Sequence, residues 1–272
     1  MKAMLKTMAG RTIRSLTHAA SNGPHWARGA MAFAISQIDS RRHVETPAGR
    51  LCFHVDTPIE RWRVDTLFTK EPETIAWLDR TMGPDSVIYD VGANIGLYTL
   101  YAVHRFPETA HAICFEPEPQ NFAKLNRNIA ANSLAGRITA FPVGLGAQTT
   151  FERMPLSVLE SGGALHGERM VKPDAAAHVT GLSVWSLDEL VARAAWMPAP
   201  THLKIDVDGP ELNILRGARA TLAQPSLRHV LVELLTGERA EAESMLAEAG
   251  FKPSAEGKAV DDMMNVIFER PA

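Results

Sequence analysis

A doubly wound α/β fold with a mostly parallel sheet is what this sequence predicts, and three observations predict it. From residue 87 onward short apolar runs alternate with longer amphipathic ones, the order left by strands that are each followed by a helix crossing back over the sheet. The stretch "VIYDVGANIGLYTL" (87–100) has the pattern of a buried strand, a tight glycine-containing turn and the start of a helix. The chain of 272 residues, 46% of them hydrophobic, can bury one sizeable core and suits one domain with an accessory segment.

The elements follow in order. Residues 42–56 alternate around Pro47, Ala48 and Gly49, which predicts a hairpin. "EPETIAWLDRTM" predicts a helix with Pro72 in its first turn, Glu71 and Glu73 at its positive end and Ile75, Trp77 and Leu78 on its apolar face. "VIYDV" then leads into a helix through "GLYTLYAVHRF", "HAICFE" into "PQNFAKLNRNIAANS", and "RITAFPV" into an irregular glycine-rich region over about 144–180. "LSVWSLDELVARAA" supplies a short strand and a helix, "THLKIDVDG" a buried strand, "PELNILRGARATL" a helix and "RHVLVELL" a strand. "ERAEAESMLAEAG" is a helix closed by Gly250, and the remainder returns as an antiparallel hairpin around Gly257. The implied division is a basic, helical N-terminal arm (1–40), an accessory hairpin and helix (41–80) and a cofactor-binding domain (81–272).

Composition narrows the partners. A formal net charge of -3 removes any chain-wide argument for nucleic acid, whose phosphates call for an excess of Lys and Arg. Cys52 and Cys114 are too few for a disulfide framework and lack metal-ligand spacing, so the expected compartment is the cytoplasm. No run of 18 or more apolar residues suggests a membrane span. The first forty residues carry Lys2, Lys6, Arg11, Arg14 and Arg28 before the first acid, Asp39, with Met4, Leu5, Met8, Ile13 and Leu16 near helical spacing. This arm fits peripheral contact with an anionic membrane surface, although a loosely attached arm or dimer contact is the weightier reading. Lys6 and Arg11 interrupt it too early for a secretory signal.

Ligands of open parallel sheets bind beyond the carboxyl ends of the strands, where the strand order reverses. Asp90, Glu116 and Asp206 end three such strands. The loop "DVGANIG" has Gly92 and Gly96 for close backbone approach and Asn94 as the non-glycine residue that best tolerates a left-handed backbone. It departs from G-x-G-x-x-G. Asp90 repels a pyrophosphate but attracts an ammonium, and S-adenosylmethionine carries one; a plain turn-forming role is the alternative. Glu116, followed by Pro117, can accept ribose hydroxyls from either a nicotinamide or a methionine-derived cofactor, or be a solvated strand-end acid.

The segments "DVGANIGLYT", "FEPEPQNFAKLNRNIAAN", "SLDEL", "LKIDVDGPELNILRGA" and "VLVEL" resemble, in order and spacing, the FkbM family of S-adenosylmethionine-dependent methyltransferases over roughly residues 42–235. The resemblance implies a class I Rossmann-like methyltransferase fold and O-methylation of a hydroxyl on a sugar, glycan precursor or secondary metabolite. It places Asp90, Gly92, Asn94 and Gly96 around the methionine part of the cofactor, Glu116 at the ribose, and Val143 and Gly144 of "PVGLG" near the adenine; Thr99 and Pro117 are further expected cofactor-binding residues. N-methylation on the same fold, a nicotinamide-dependent oxidoreductase and a non-catalytic cofactor-binding module are the alternatives.

Methyl transfer needs an acceptor oxygen aligned with the methyl group and relieved of its proton. "KIDVDGPE" sets Asp206 and Asp208 at a strand end, with Lys204 on the same alternating face and Glu211 a turn into the next helix. These groups, with Glu233 of the following strand, can take the proton or fix the acceptor. Asp208 can instead cap a helix beginning at Pro210, and it stands where the resembling family usually has glutamate. A divalent cation is an option that no clear third ligand supports. His166 and His178 lie in the 144–180 insertion as a candidate base or solvated loop residues. Trp62, Arg61 and Arg63 can stack on or grip a glycan, or Trp62 can pack the hairpin onto the sheet.

Overall fold

Residues 24–36, 40–106, 110–156, 161–163, 178–260 and 262–271 are described by the computed structural model. Helix α1 (His25–Ser36) belongs to a unit of its own, Met1–Arg41. The amphipathic pattern of Met4 to Leu16 and the insertion residue His166 lie outside the described residues. No helix among the described residues is long and apolar enough to cross a membrane.

The second unit, Arg42–Ala272, begins with the expected hairpin, β1 (Arg41–Thr46) and β2 (Gly49–His54), turning at Gly49 with φ 120°. Helices α2 (Pro58–Asp65) and α3 (Pro72–Thr81) follow. The α/β succession is β3 (Val87–Val91), α4 (Leu97–Arg105), β4 (His111–Phe115), α5 (Pro119–Ala131) and β5 (Ile138–Phe141). After β6 (Gly144–Leu145), β7 (Thr150–Leu156) and β8 (His178–Trp185), it resumes with α6 (Leu187–Arg193), β9 (His202–Ile205), α7 (Glu211–Arg216), α8 (Arg219–Leu222) and β10 (His229–Leu235). Helix α9 (Arg239–Glu248) and strands β11 (Lys252–Glu256) and β12 (Met263–Glu269) complete it.

Seven strands form the main sheet in the order β11-β12-β10-β9-β3-β4-β5, parallel from β10 to β5, with β12 antiparallel to both of its neighbours. The strand order reverses at β3, which pairs with β4 on one side and β9 on the other. Two apolar clusters cover the faces. Leu51, Trp77, Ile88, Leu100 and Leu125 belong to one, and Tyr89, Phe115, Leu203, Leu215 and Phe251 to the other. Because side chains alternate along a strand, neighbours in β3 serve opposite cores.

The hairpin is fastened by two asparagines one helical turn apart. Asn128 Oδ1 accepts the His54 N–H at 2.8 Å, and Asn132 Oδ1 accepts the Cys52 N–H at 2.8 Å while its Nδ2 donates to Cys52 O at 2.7 Å. The exposed edge of β2 thus meets side chains of α5 and its C-terminus instead of water, satisfying polar groups that burial would otherwise leave costly.

Three readings of the sequence are corrected. The 144–180 region, expected to be irregular, carries the three-stranded sheet β6-β8-β7; Pro155 fits because β7 pairs on one side only, where a missing N–H is tolerated. "PELNILRGARATL" forms two short helices, broken where a Cβ at Gly217 would lie 2.0 Å from Gly146 O. Helix α2 was not anticipated, although Thr57 and Glu60 form a capping box around Pro58.

Gly92 has a packing task besides the one expected. At φ 80° a Cβ there would meet Asp206 O at 1.9 Å, and one at Gly96 would press on Leu100 and Leu125 at 2.6 Å, so both glycines also serve strand and helix packing. Gly92→Ala is expected to destabilise the protein by about 3 kcal/mol or more. Gly83→Ala, at a position with open space around it, should stay within about 0.5 kcal/mol, both read from urea denaturation midpoints.

Candidate active site

The crevice at the β3/β9 reversal is lined by Asp90, Gly92, Ala93, Asn94, Leu97, Tyr98, Lys204, Asp206, Asp208 and Glu233, together with Arg63, Lys70 and Glu71 from the accessory segment. Asp90 and Lys204 are direct neighbours across β3 and β9, so the sheet register sets one beside the other. Lys204 is buried; its Nζ lies 2.7 Å from Asp206 Oδ2, 3.8 Å from Asp90 Oδ1 and 5.2 Å from the Tyr98 ring centre. Burial pushes this ammonium down, but Asp206, Asp90 and Glu71 together hold it above its ordinary value.

Asp90 is 1% exposed. Its Oδ2 accepts the Thr99 hydroxyl, while Oδ1 is buried with no hydrogen-bond partner. Burial raises its pKa against the opposing pull of Lys204 and Thr99. Thr99, expected to touch the cofactor, is itself fully buried behind Asp90 and close to Cys114 Sγ at 3.4 Å; it orients the acid instead.

At the rim, Asp206 and Glu233 share a hydrogen bond and titrate as a pair. Burial works to raise Asp206, yet the Lys204 cation prevails and takes it to about 2. Glu233, raised first by burial and then by the adjacent Asp206 charge, reaches about 9 and keeps its proton at neutral pH. Asp208 lines the same crevice in a left-handed backbone, φ 59°. Helix α7 has Pro210 at its N-cap, two residues past Asp208.

Other expected residues stand elsewhere. Glu211 is buried, accepts the Gly209 and Val207 N–H groups at 2.9 and 3.3 Å and is raised by burial to about 7; it braces the turn after β9 rather than facing an acceptor. Glu116 does sit at the end of β4, where its oxygens accept the Asn94 N–H at 2.7 Å and the Glu118 N–H at 2.9 Å. Burial takes it to about 7 against those bonds, and a carboxylate with two such bonds retains further acceptor capacity. Pro117 is half-buried beside it, Val143 packs into the second core, and Gly144 opens β6 against Leu182. His178 is exposed at the start of β8. Among the described residues no group of three or more His, Cys, Asp or Glu is arranged to hold a metal ion.

Asn94 adopts the expected left-handed backbone, φ 51°, and does more than turn the chain. Its Nδ2 donates to Gly163 O at 2.7 Å, and Asn121, at the start of α5, accepts the Gly162 N–H at 2.7 Å and donates to Gly163 O at 3.2 Å. From the other side Thr57 Oγ1 donates to Ser161 O at 3.2 Å and Arg63 Nε to Gly162 O at 2.6 Å. Residues 161–163 are therefore strapped between α2 and the cofactor loop. Lys70, Glu71, Tyr98 and Asn121 were missed from the sequence; only Asn121, one turn into the helix after the strand-end acid, had a local signal.

A parallel sheet reversing beside an acidic loop end, with a carboxylate cluster at the next strand, defines a class I Rossmann-like methyltransferase fold. The Methyltransferase FkbM domain matches residues 90–268, and the chain belongs to that family of methyltransferases. It is 29% identical to the hexuronic acid methyltransferase AglP of Haloferax volcanii, covering 72% of this chain and 76% of that one. It is 30% identical to the 31-O-demethyl-FK506 methyltransferase FkbM of Streptomyces tacrolimicus, over 64% and 75%. The crystal structure of methyltransferase FkbM from Methylobacillus flagellatus KT shares the fold at a TM-score of 0.51 and 18% identity; the match covers 70% of this chain and 45% of that longer protein.

The Glu233 proton has a measurable consequence. An unfolded glutamate ionises near its ordinary value of 4.5, whereas Glu233 in the folded protein holds its proton to about 9; its contribution to stability is full below about 4.5 and is lost as pH rises through 9. Glu233→Gln mimics the protonated form, so its Tm advantage over the wild type should grow from near zero at pH 5 to a maximum near pH 9. Parallel Tm–pH profiles at constant offset would contradict this.

Proposed function

We propose that this chain transfers the methyl group of S-adenosylmethionine to a hydroxyl of a sugar, a glycan precursor or a secondary metabolite. The observation that carries this reading is the buried Asp90 Oδ1, without a hydrogen-bond partner and 3.8 Å from the Lys204 ammonium, in a crevice that also holds the Asp206–Glu233 pair. An ammonium that can hydrogen-bond suits this oxygen, and a pyrophosphate would be repelled by it. The residues fit the cofactor: Asp90 would receive its ammonium, the Gly92–Asn94 turn would support its methionine part and Glu116 would receive its ribose hydroxyls. When bound, S-adenosylmethionine supplies an electrophilic methyl group. The chain's own side chains then have to orient the acceptor and accept its proton.

Asp206 is ionised at neutral pH and lies at the rim with its side chain 21% exposed. Its low basicity is no obstacle when the hydroxyl becomes strongly acidic as the new O–C bond forms, because proton transfer follows the falling pKa of the attacking oxygen. Glu233, being protonated, is a hydrogen-bond donor to Asp206 rather than a competing base, and Asp208, which lines the same crevice, would hold an adjacent acceptor hydroxyl. The names of the two relatives support an oxygen acceptor, one a hexuronic acid and the other a 31-O position.

Two measurements test the reading. Titration calorimetry should detect S-adenosylhomocysteine and not NAD; micromolar NAD binding with silence toward S-adenosylhomocysteine would overturn the donor. Asp206→Asn should lower kcat about a hundredfold while the S-adenosylhomocysteine Kd changes by less than about threefold, with turnover followed as labelled methyl transferred to acceptors identified by mass spectrometry. Unchanged kcat would remove Asp206 from the chemistry.

A further inference from the structure

The crevice is already crowded with negative charge, and that raises a problem for any amino-acid-like ligand. Glu71, Asp90, Asp206 and Asp208 all line it. In an α-amino acid the carboxylate carbon lies about 2.5 Å from the ammonium nitrogen, so a ligand whose ammonium meets Asp90 must bring its own carboxylate into the same crevice. Without a cation to receive it, that carboxylate faces like charges in a partly buried site, where screening is weak.

Among the described residues three cations line the crevice, and two are already committed. Lys204 is buried between Asp206 and Asp90. Lys70 Nζ is paired with Glu71. Arg63, the third, has no ion-pair partner among the described residues: its Nε donates to Gly162 O at 2.6 Å, which anchors the stem, and the two Nη groups suit a planar, bidentate partner, the geometry in which arginine grips a carboxylate. Its position on α2 is well defined. The capping box of Thr57 and Glu60 starts this helix, and the buried Glu60 is paired with Lys124 of α5 at 2.9 Å.

We propose that Arg63 is the carboxylate-binding residue for the methionine end of S-adenosylmethionine, the counterpart of Asp90 at its ammonium. The proposal rests on S-adenosylmethionine being the methyl donor. It puts part of the cofactor site upstream of residues 90–268, the segment matched by the family domain. It also joins cofactor binding to the strap at residues 161–163, because one guanidinium holds Gly162 O and would hold the ligand.

The test compares S-adenosylhomocysteine with its decarboxylated analogue, which keeps the ammonium and lacks the carboxylate, by titration calorimetry on the wild type, Arg63→Met and Arg63→Lys. For the wild type the decarboxylated analogue should bind about ten- to a hundredfold more weakly. Arg63→Met should weaken S-adenosylhomocysteine by a similar factor and leave the analogue within about twofold, and Arg63→Lys should recover part of the loss. If Arg63→Met weakens both ligands equally, the residue acts through the strap alone and the proposal is overturned. It is equally overturned if S-adenosylhomocysteine binding is unchanged and only the KM of an acidic acceptor rises. Failure of the wild type to bind either ligand would instead sink the donor reading, a result distinguishable from all of these.

Discussion

The Lys204 ammonium, buried between Asp90 and Asp206, is the constraint on which the site depends. Desolvating such a charge costs several kcal/mol unless it is paired, and the pairing is supplied by sheet register: Asp90 faces Lys204 across β3 and β9, and Asp206 follows where β9 ends. A one-residue slip would turn each of these side chains to the opposite face. The same charge then sorts the surrounding acids. Asp206 is ionised because it touches the cation, and Glu233 is protonated because it is buried beside Asp206. Asp90, with one oxygen taken by Thr99, keeps the other without a hydrogen-bond partner. Three carboxyl groups in one crevice thus have three different chemistries.

The accessory segment is part of this arrangement and not an appendage to it. Glu60 is fully buried, yet it is compensated by Lys124, by the Asp56 and Thr57 N–H groups and by the Ser161 hydroxyl. Removing one member of such a network leaves the others buried and unpaired, which is the costly outcome. Through these contacts and the Asn128 and Asn132 bonds to β2, the hairpin, α2 and the 161–163 strap are tied to α5 and so to the cofactor loop. Crevice shape is consequently decided by residues far apart in sequence.

Much of the main sheet was legible because its signals are local. Strand β3 has an apolar core run, α5 a clear apolar face, and Gly250 takes the left-handed backbone just after α9. The elements that escaped have weak or conflicting local signals. Helix α2 is short and polar, and its capping box lay in a stretch that reads as a connector. Strands β7 and β8 carry few core residues and stabilise one another by pairing over a long interval. The break at Gly217 answers to the passing backbone of Gly146, which no window around Gly217 contains.

By itself the sequence determined the α/β class, the acidic loop end at Asp90, the strand-end position of Glu116 and the carboxylates after β9, since periodicity and turn chemistry act over a few residues. Tertiary structure alone decided what those residues do. It gave Gly92 a packing task beside its place in the crevice, and turned Thr99 from a contact into a support for Asp90 and Glu211 into a brace. It also brought Arg63, Lys70 and Glu71 to the crevice. The reason is physical: charge state and accessibility are set by neighbours in space, and these neighbours come from segments that only the folded sheet brings together.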